Sequence, residues 1–204
     1  MKDYIKNVDN AAERRFFSEP VGFEERDGVK DENIIEGYAA VFNKDSVDFG
    51  GWHERIAPGA FTGVTKDDAV ALFNHDMNLV LGRNKVNVTI SQDDIGLKYK
   101  IKLPDTNLAR DLKQLVKEGI IHQSSFAFTV AEQEWKHAEK APSVRTITKV
   151  KRLYDVSPVT SPAYPDATVG ARSFEANKPK EEEQQEEVTA EVRELLNKIN
   201  SNKI

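Results

Sequence analysis

Apolar and polar residues alternate along several short stretches of this chain, as they do in half-buried β-strands. Val86, Val88 and Ile90 alternate with polar neighbours, and so do the apolar residues of the stretch 97–103. The link between these stretches, SQDDIG, is rich in turn-forming residues, which predicts a β-hairpin. Further strands are predicted at 34–42 (IIEGYAAVF), 120–130 (IIHQSSFAFTV) and 144–159 (VRTITKVKRLYDVSPV).

Helical spacing of apolar residues occurs in two places. The first follows Asp105, a predicted N-cap, and has Leu108, Leu112, Leu115 and Val116 on one face before Gly119, the predicted C′ residue. The second lies near the carboxyl end, after the charged run EEEQQEE, where the apolar stripe consists of Val188, Val192, Leu195, Leu196 and Ile199. This stripe predicts a short amphipathic helix on a charged linker.

The tally of six or seven strands and two or three helices predicts an α+β fold, built on a mostly antiparallel sheet or barrel. Composition shifts divide the 204-residue chain into three parts. We expect a flexible N-terminal segment at 1–15, one folded domain at 16–173, and the charged linker with its short helix at 174–204.

Charge and residue usage exclude several classes of function. The net charge is −5, so there is no domain-wide basic field for nucleic acid, and no apolar run reaches the ~20 residues needed to cross a membrane. The absence of cysteine removes disulfides, thiolate nucleophiles and Cys-ligated zinc. The chain has four histidines without metal-site spacing and no nucleotide-binding motif, so we expect neither a metal nor a cofactor. The N-terminus lacks the apolar core of a signal peptide, which predicts a cytoplasmic protein.

Three segments could carry chemistry. In the first, an apolar run at 69–73 ends in Asn74, His75 and Asp76, a place where catalytic groups often sit. A surface histidine at a strand end is the structural alternative. In the second, strand alternation directs Ser124 inward with Phe126 and directs Ser125 to the other face. An ordinary strand serine is the alternative there.

The third segment is 153–165, LYDVSPVTSPAYP. Asp155 lies between a tyrosine and a valine, where a carboxylate is costly unless it has a partner. A histidine ring is a suitable partner, because the carboxylate fixes its tautomer and stabilises the imidazolium. An exposed aspartate on an edge strand is the alternative.

Together these segments resemble the HK97-type phage prohead protease family, which is similar to the herpesvirus assembly proteases. The resemblance spans about residues 13–173. It rests on the ordered motifs ERRFF, IIEGYAAVFNKDS, RIAPGAF, LFNHD with LGR, GLKYKIKLP, LARDLKQLVKEGII with SSFAF, and LYDVSPVTSPAYPDATVGARS. Two positions depart from the usual pattern. Ala127 stands where the family usually has glycine, and Asp155 stands where it often has glutamate.

The resemblance implies a serine endopeptidase with His75 as general base, Ser125 as nucleophile and Asp155 as the residue that orients His75. It implies a seven-stranded barrel surrounded by helices. It also implies cleavage of scaffold and capsid-protein segments, and of the protease itself, inside the immature shell in the host cytoplasm. The major capsid protein with its scaffolding segment is the expected partner, with the portal and a second copy of the chain as further candidates, and with no role for nucleic acid or membrane.

The oxyanion donors are expected to be backbone N–H groups, with Arg83 or Arg172 as candidate assistants. Two other functions stay open on the sequence. One is a capsid-assembly or scaffold protein that kept the fold without catalysis. The other is an esterase that uses the same three residues on small substrates.

Overall fold

The computed structural model of the chain describes residues 12–17, 21–26, 29–137 and 141–160. Within these ranges there are ten strands, one α-helix and one 3₁₀ turn at Val64–Lys66. The elements are β1 (Glu13–Phe17), β2 (Gly22–Arg26), β3 (Val29–Val41), β4 (Trp52–Ile56), β5 (Val70–Phe73), β6 (Asp76–Arg83), β7 (Val88–Gln92), β8 (Gly96–Lys102), α1 (Asn107–Lys117), β9 (Gln123–Lys136) and β10 (Ser143–Val159).

The larger sheet is organised around β10, which is 17 residues long. Its strand order is β1-β9-β10-β5-β6, and β4 also pairs with β10. β9 runs antiparallel along the whole of one edge of β10. The other edge is shared, because β4 pairs in parallel with its first part and β5 pairs in parallel with its last part. The sheet is therefore mixed, and the end of β10 brings β5 and β9 to the same place.

The smaller sheet is fully antiparallel, with the order β2-β3-β8-β7. The predicted hairpin is confirmed as β7–β8, in which Gln92 lies opposite Leu97. At the start of β8 a side chain cannot be accommodated, since a Cβ on Gly96 would lie 1.9 Å from the carbonyl oxygen of Ala40. Glycine at this position lets β3 and β8 approach each other.

The hydrophobic core combines side chains from both sheets and from α1. At its centre the rings of Phe126 and Phe128 stack with centroids 4.6 Å apart, and Phe61 packs edge-on against Phe126 at 5.6 Å. These phenylalanines are fully buried, so the inner face of β9 is fixed by packing. Burial of each such side chain stabilises the fold by roughly 1.5–3 kcal/mol.

The predicted helix is present as α1, but its N-cap is one residue later than expected. The hydroxyl of Thr106 accepts a hydrogen bond from the backbone N–H of Ala109 at 3.2 Å, whereas Asp105 pairs with the side chain of Arg110. Gly119 has φ of 71°, the left-handed conformation expected of a C′ residue. The sequence placed the end of the helix correctly and its start one residue early.

The expectation of an α+β barrel surrounded by helices is wrong. The described part of the chain is mostly β, with one α-helix, and its strands form a curled mixed sheet and a second sheet. The physical reason is the length of the connections. β5 and β6 are joined by two residues, and most other links between the described strands are also too short to hold a helix, so no helical layer forms within the described residues.

The structure also corrects several smaller predictions from the sequence. The described ranges hold ten strands rather than six or seven. Val86 is not part of a strand and is 78% exposed, because β7 begins at Val88. Residues 13–15, expected in a loose N-terminal segment, belong to β1. The predicted amphipathic helix at 188–199 lies outside the described residues.

Candidate active site

His75 is held on a tight turn between β5 and β6. Phe73 and Asp76 form the last pair of the two strands, so Asn74 and His75 are the two loop residues. Both have left-handed backbone conformations, with φ of 56° and 57°. Two-residue hairpin loops favour such conformations because they match the twist of the flanking strands. The turn places the imidazole of His75 at the edge of the β5–β10 pair.

Ser124 and Ser125 lie side by side on β9 and point to opposite faces, as strand alternation predicts. The hydroxyl of Ser124 is 2.8 Å from the hydroxyl of Tyr99 in the core. Burial raises the pKa of Tyr99, and the hydrogen bond with Ser124 only partly offsets this, so the phenol stays protonated. Ser125 instead has its Oγ 2.5 Å from Nε2 of His75.

Asp155 lies on β10 between these two elements. The parallel pairing of β10 with β5 places it opposite Val70, and the antiparallel pairing with β9 places it opposite Ala127. Its Oδ1 is 2.6 Å from Nδ1 of His75. The buried carboxylate therefore has the histidine partner that its apolar surroundings require.

The three side chains form one hydrogen-bonded chain and are largely buried. The side chains of His75 and Asp155 are 6% and 8% exposed, and Ser125 is fully buried. With Nδ1–H donating to Asp155, the other ring nitrogen is left as an acceptor for the hydroxyl proton of Ser125. This arrangement can remove a proton from the serine and stabilise the resulting imidazolium.

Two further groups contact this chain and were not predicted from the sequence. The hydroxyl of Ser157 donates to Oδ1 of Asp155 at 2.8 Å. Oγ of Ser125 also lies 2.9 Å from the carbonyl oxygen of Arg15, on β1, which is an alternative acceptor to Nε2 of His75 for the single hydroxyl proton. Ser157 is two residues after Asp155 on the same strand, so alternation could have identified it. Nothing local to Arg15 signals its approach, because it depends on the pairing of β1 with β9.

A buried cluster of four charged side chains fixes β1 beside the site. This charge cluster consists of Glu13 and Arg15 on β1, Glu54 on β4 and Arg145 on β10. Arg145 binds both carboxylate oxygens of Glu13, at 2.6 and 2.8 Å, and one oxygen of Glu54 at 2.8 Å. Arg15 pairs with Glu54 through two nitrogens and also with Glu13. The two positive and two negative charges cancel.

Within the charge cluster, the surroundings of Glu13 and Arg15 favour their charged forms. Burial alone would raise the pKa of Glu13, but hydrogen bonds and charge from Arg145 and Arg15 outweigh it and hold the pKa below its usual range. Burial would lower the pKa of Arg15, and the carboxylates of Glu54 and Glu13 raise it instead. Both shifts have the same cause, which is the opposite charges packed around each group.

The other candidate groups lie in different surroundings. Arg83 is exposed and pairs with Asp68 at 2.6 Å. The remaining histidines are dispersed, since His53 contacts the carbonyl of Ser46, His122 contacts that of Gly119, and His137 stacks on a tryptophan. Arg172 lies outside the described residues. In the part of the chain that the structure describes, no three histidine or carboxylate side chains group so as to hold a metal ion.

No helix within the described ranges is long and apolar enough to cross a membrane.

Comparison with known proteins adds a family. A family model described as caudovirus prohead serine protease matches residues 21–182, a range that contains His75, Ser125 and Asp155. A search of curated proteins gave no match. Among solved structures, the chain is similar to the bacteriophage T4 capsid assembly protease, gp21, with 12% identity, a TM-score of 0.41, and coverage of 74% of this chain and 99% of that chain.

Proposed function

Because the chain belongs to the caudovirus prohead serine protease family, we propose that Ser125, His75 and Asp155 are the catalytic triad with which it cleaves peptide bonds during phage head maturation. Membership of this family makes the chain a serine peptidase of phage head maturation. The assignment of the three roles is supported by one observation above all. His75 contacts Ser125 with one ring nitrogen at 2.5 Å and Asp155 with the other at 2.6 Å.

In the first half of the reaction, Oγ of Ser125 attacks the carbonyl carbon of the scissile peptide bond. Nε2 of His75 takes the hydroxyl proton as the bond forms, and Asp155 stabilises the imidazolium through Nδ1. The tetrahedral intermediate then collapses, the C–N bond breaks, and the imidazolium gives its proton to the leaving amine. An acyl-enzyme on Ser125 remains.

In the second half, water takes the place of the serine. His75 removes a proton from the water, the hydroxide attacks the acyl carbon, and the proton returns to Oγ of Ser125 as the acid product leaves. In both halves backbone N–H groups hold the oxyanion, each donor being worth roughly 2.7–4 kcal/mol in such sites. The cycle requires that Nε2 of His75 is free to accept a proton at the start of each half.

The substrates that this role implies are the scaffold and capsid-protein segments of the immature shell, together with the protease itself. The family's part in capsid assembly supports contact with capsid and scaffold proteins. We place the cleavage inside the procapsid in the host cytoplasm. The portal and a second copy of the chain are further partners in this proposal. The folded domain, which includes β1 from Glu13 onward and was expected to end at 173, would act here, with 174–204 serving its delivery into the shell.

The test compares alanine substitutions of two adjacent serines, Ser124 and Ser125, on the same strand. Full-length Ser125→Ala and Ser124→Ala variants are co-expressed with the major capsid protein, and fragments are identified by mass spectrometry. We expect Ser125→Ala to abolish cleavage of the capsid protein and of the protease itself. Ser124→Ala removes a hydroxyl of the same size from the core face, and we expect it to retain cleavage with altered stability or rate.

The proposal fails if Ser125→Ala still produces the wild-type fragments, or if Ser124→Ala is the inactive variant. Hydrolysis of small esters by wild-type protein that never cleaves the capsid protein would instead indicate an esterase. Fragment masses that are the same with and without the protease would indicate a non-catalytic assembly protein.

A further inference from the structure

Both residues of the turn that carries His75 have left-handed backbone conformations. Side chains other than glycine lose roughly 1–2 kcal/mol in the left-handed region, and asparagine is among the few that visit it readily. Asn74 and His75 both lie there, in succession. A histidine in this region persists only when its surroundings hold it. The contacts of the turn should therefore show what fixes the histidine.

Those contacts are made by Asn74. Its backbone N–H donates to the carbonyl of Pro158 at 3.1 Å. Its side-chain Oδ1 accepts from the backbone N–H of Thr160 at 2.9 Å and from the hydroxyl of Thr160 at 3.4 Å. Asn74 thus ties the turn to the end of β10 through its backbone and its side chain, one residue before His75.

The same end of β10 holds the acid of the site. Asp155 is three residues before Pro158, and its carboxylate must meet Nδ1 of His75 while Nε2 meets Ser125. Both distances are set by where the turn stands relative to β10. A shift of about 1 Å in a catalytic group can cost about 10²-fold in rate. A tie between the turn and β10 therefore controls the alignment of both hydrogen bonds.

We propose that Asn74 is a positioning residue that aims His75 by fastening its turn to the carboxyl end of β10. The inference rests on the proposed triad. Asn74 needs two properties for this, tolerance of a left-handed backbone and a side-chain acceptor at the distance of Thr160. Glycine supplies only the first property, whereas aspartate supplies both. Substitutions at residue 74 can therefore distinguish the effect of the side-chain hydrogen bond on the position of His75 from the effect of backbone strain in the turn.

The experiment uses full-length protein and a fluorophosphonate probe, which reacts with an activated serine without requiring a known cleavage sequence. The variants are Asn74→Gly, Asn74→Asp and, as a matched control on the adjoining strand, Asn78→Gly. Asn78 is exposed and its side chain bonds only locally to Asp76 among the contacts described. Inactivation rate constant, apparent probe affinity and thermal midpoint are measured for each, at a temperature where each is folded by circular dichroism.

We expect Asn74→Gly to lower the inactivation rate constant at least ~10-fold, with unchanged probe affinity. We expect Asn74→Asp to stay within a few-fold of wild type, and Asn78→Gly to match wild type. The proposal is overturned if Asn74→Gly labels at the wild-type rate, or if Asn74→Asp is as slow as Asn74→Gly. A loss of probe affinity with an unchanged rate constant also overturns it.

A second variant keeps the test decisive if Asn74→Gly does not fold. Thr160→Pro removes the backbone N–H from which Oδ1 of Asn74 accepts a hydrogen bond, and it leaves Asn74 unchanged. We therefore expect the same fall in the inactivation rate constant as in Asn74→Gly. A wild-type rate in Thr160→Pro overturns the proposal. The Ser125→Ala variant distinguishes this outcome from failure of the triad. If Ser125→Ala still reacts with the probe, Ser125 is not the nucleophile, whatever the Asn74 variants show.

Discussion

Replacing Glu54 by glutamine tests the charge cluster that holds β1 beside the active site. Glu54 is 3% exposed, and its carboxylate binds both Arg15 and Arg145. Glutamine has nearly the same shape and keeps one acceptor oxygen, so packing is little changed. The substitution removes one negative charge and leaves two buried guanidinium groups facing the single carboxylate of Glu13.

The expected loss of stability follows from that imbalance. Breaking a buried ion pair by removing one partner costs about 3–5 kcal/mol, because an uncompensated charge stays buried. The acceptor oxygen that glutamine retains places the expected value near the lower end, about 3 kcal/mol. Proteins of this size lose roughly 2–4 °C of thermal midpoint per kcal/mol, which gives a shift of roughly 6–12 °C.

The assay is urea unfolding at 25 °C followed by circular dichroism, with the free energy of unfolding extrapolated to water. Glu132→Gln is the matched control, since Glu132 pairs with Lys149 at 3.0 Å on the surface and the two side chains are 62% and 57% exposed. An exposed pair of this kind contributes about 0–1 kcal/mol. The same chemical change thus has a large expected effect in one place and a small one in the other.

The reasoning is refuted if Glu54→Gln and Glu132→Gln have equal free energies of unfolding. A loss below about 1 kcal/mol in Glu54→Gln would also refute it, since that is the range of an exposed pair. In either case the charge cluster would not be what holds β1 to β4 and β10.

Three further predictions concern the acid of the site, the response to pH and the carboxyl-terminal region. Asp155→Asn should keep the wild-type circular dichroism spectrum but slow cleavage by about 10⁴, and a rate within a few-fold of wild type would remove Asp155 from the triad. The pKa of Glu13 is lowered in the folded protein, so the stabilising effect of its charge is present above the ordinary glutamate pKa and is lost as pH falls through the lowered value. The urea midpoint should therefore decline in acid. A urea midpoint that stays constant into strong acid would contradict this. A chain ending at Ser173 should keep its thermal midpoint and its activity yet fail to enter particles, whereas aggregation or a loss of several degrees would mean that residues from 174 onward belong to the core.

Local patterns in the sequence predicted those features that depend on neighbours along the chain. The β7–β8 hairpin follows from alternation and turn residues, and the opposite orientations of Ser124 and Ser125 follow from the pleat of one strand. The C′ position of Gly119 follows from the helical pattern before it. That Ser125 is the nucleophile stays a prediction, which the Ser125→Ala variant tests.

Features that depend on pairing between distant strands were not predicted. Nothing in the pattern of β10 says that one of its edges is shared by β4 and β5 in parallel, so a mostly antiparallel sheet was expected. The charge cluster joins Glu13 to Arg145, which are 132 residues apart, and in its own segment each residue has the pattern of an ordinary exposed charged side chain. The helical layer was an inference from family resemblance, and within the described residues most links between strands are too short to hold a helix.

The position of β10 in the chain has a consequence for when the protease can become active during its own synthesis. β1 pairs with β9 and β4 pairs with β10, while β5, already paired with β6, gains its second neighbour in β10, so the sheet cannot be completed until residues 123–159 have been made. Such non-local pairing forms late, because long loops must close first. Asp155 is also among the last residues of β10. A ribosome-bound chain that has not yet released this strand therefore holds Ser125 and His75 without the strand that lies between β9 and β5.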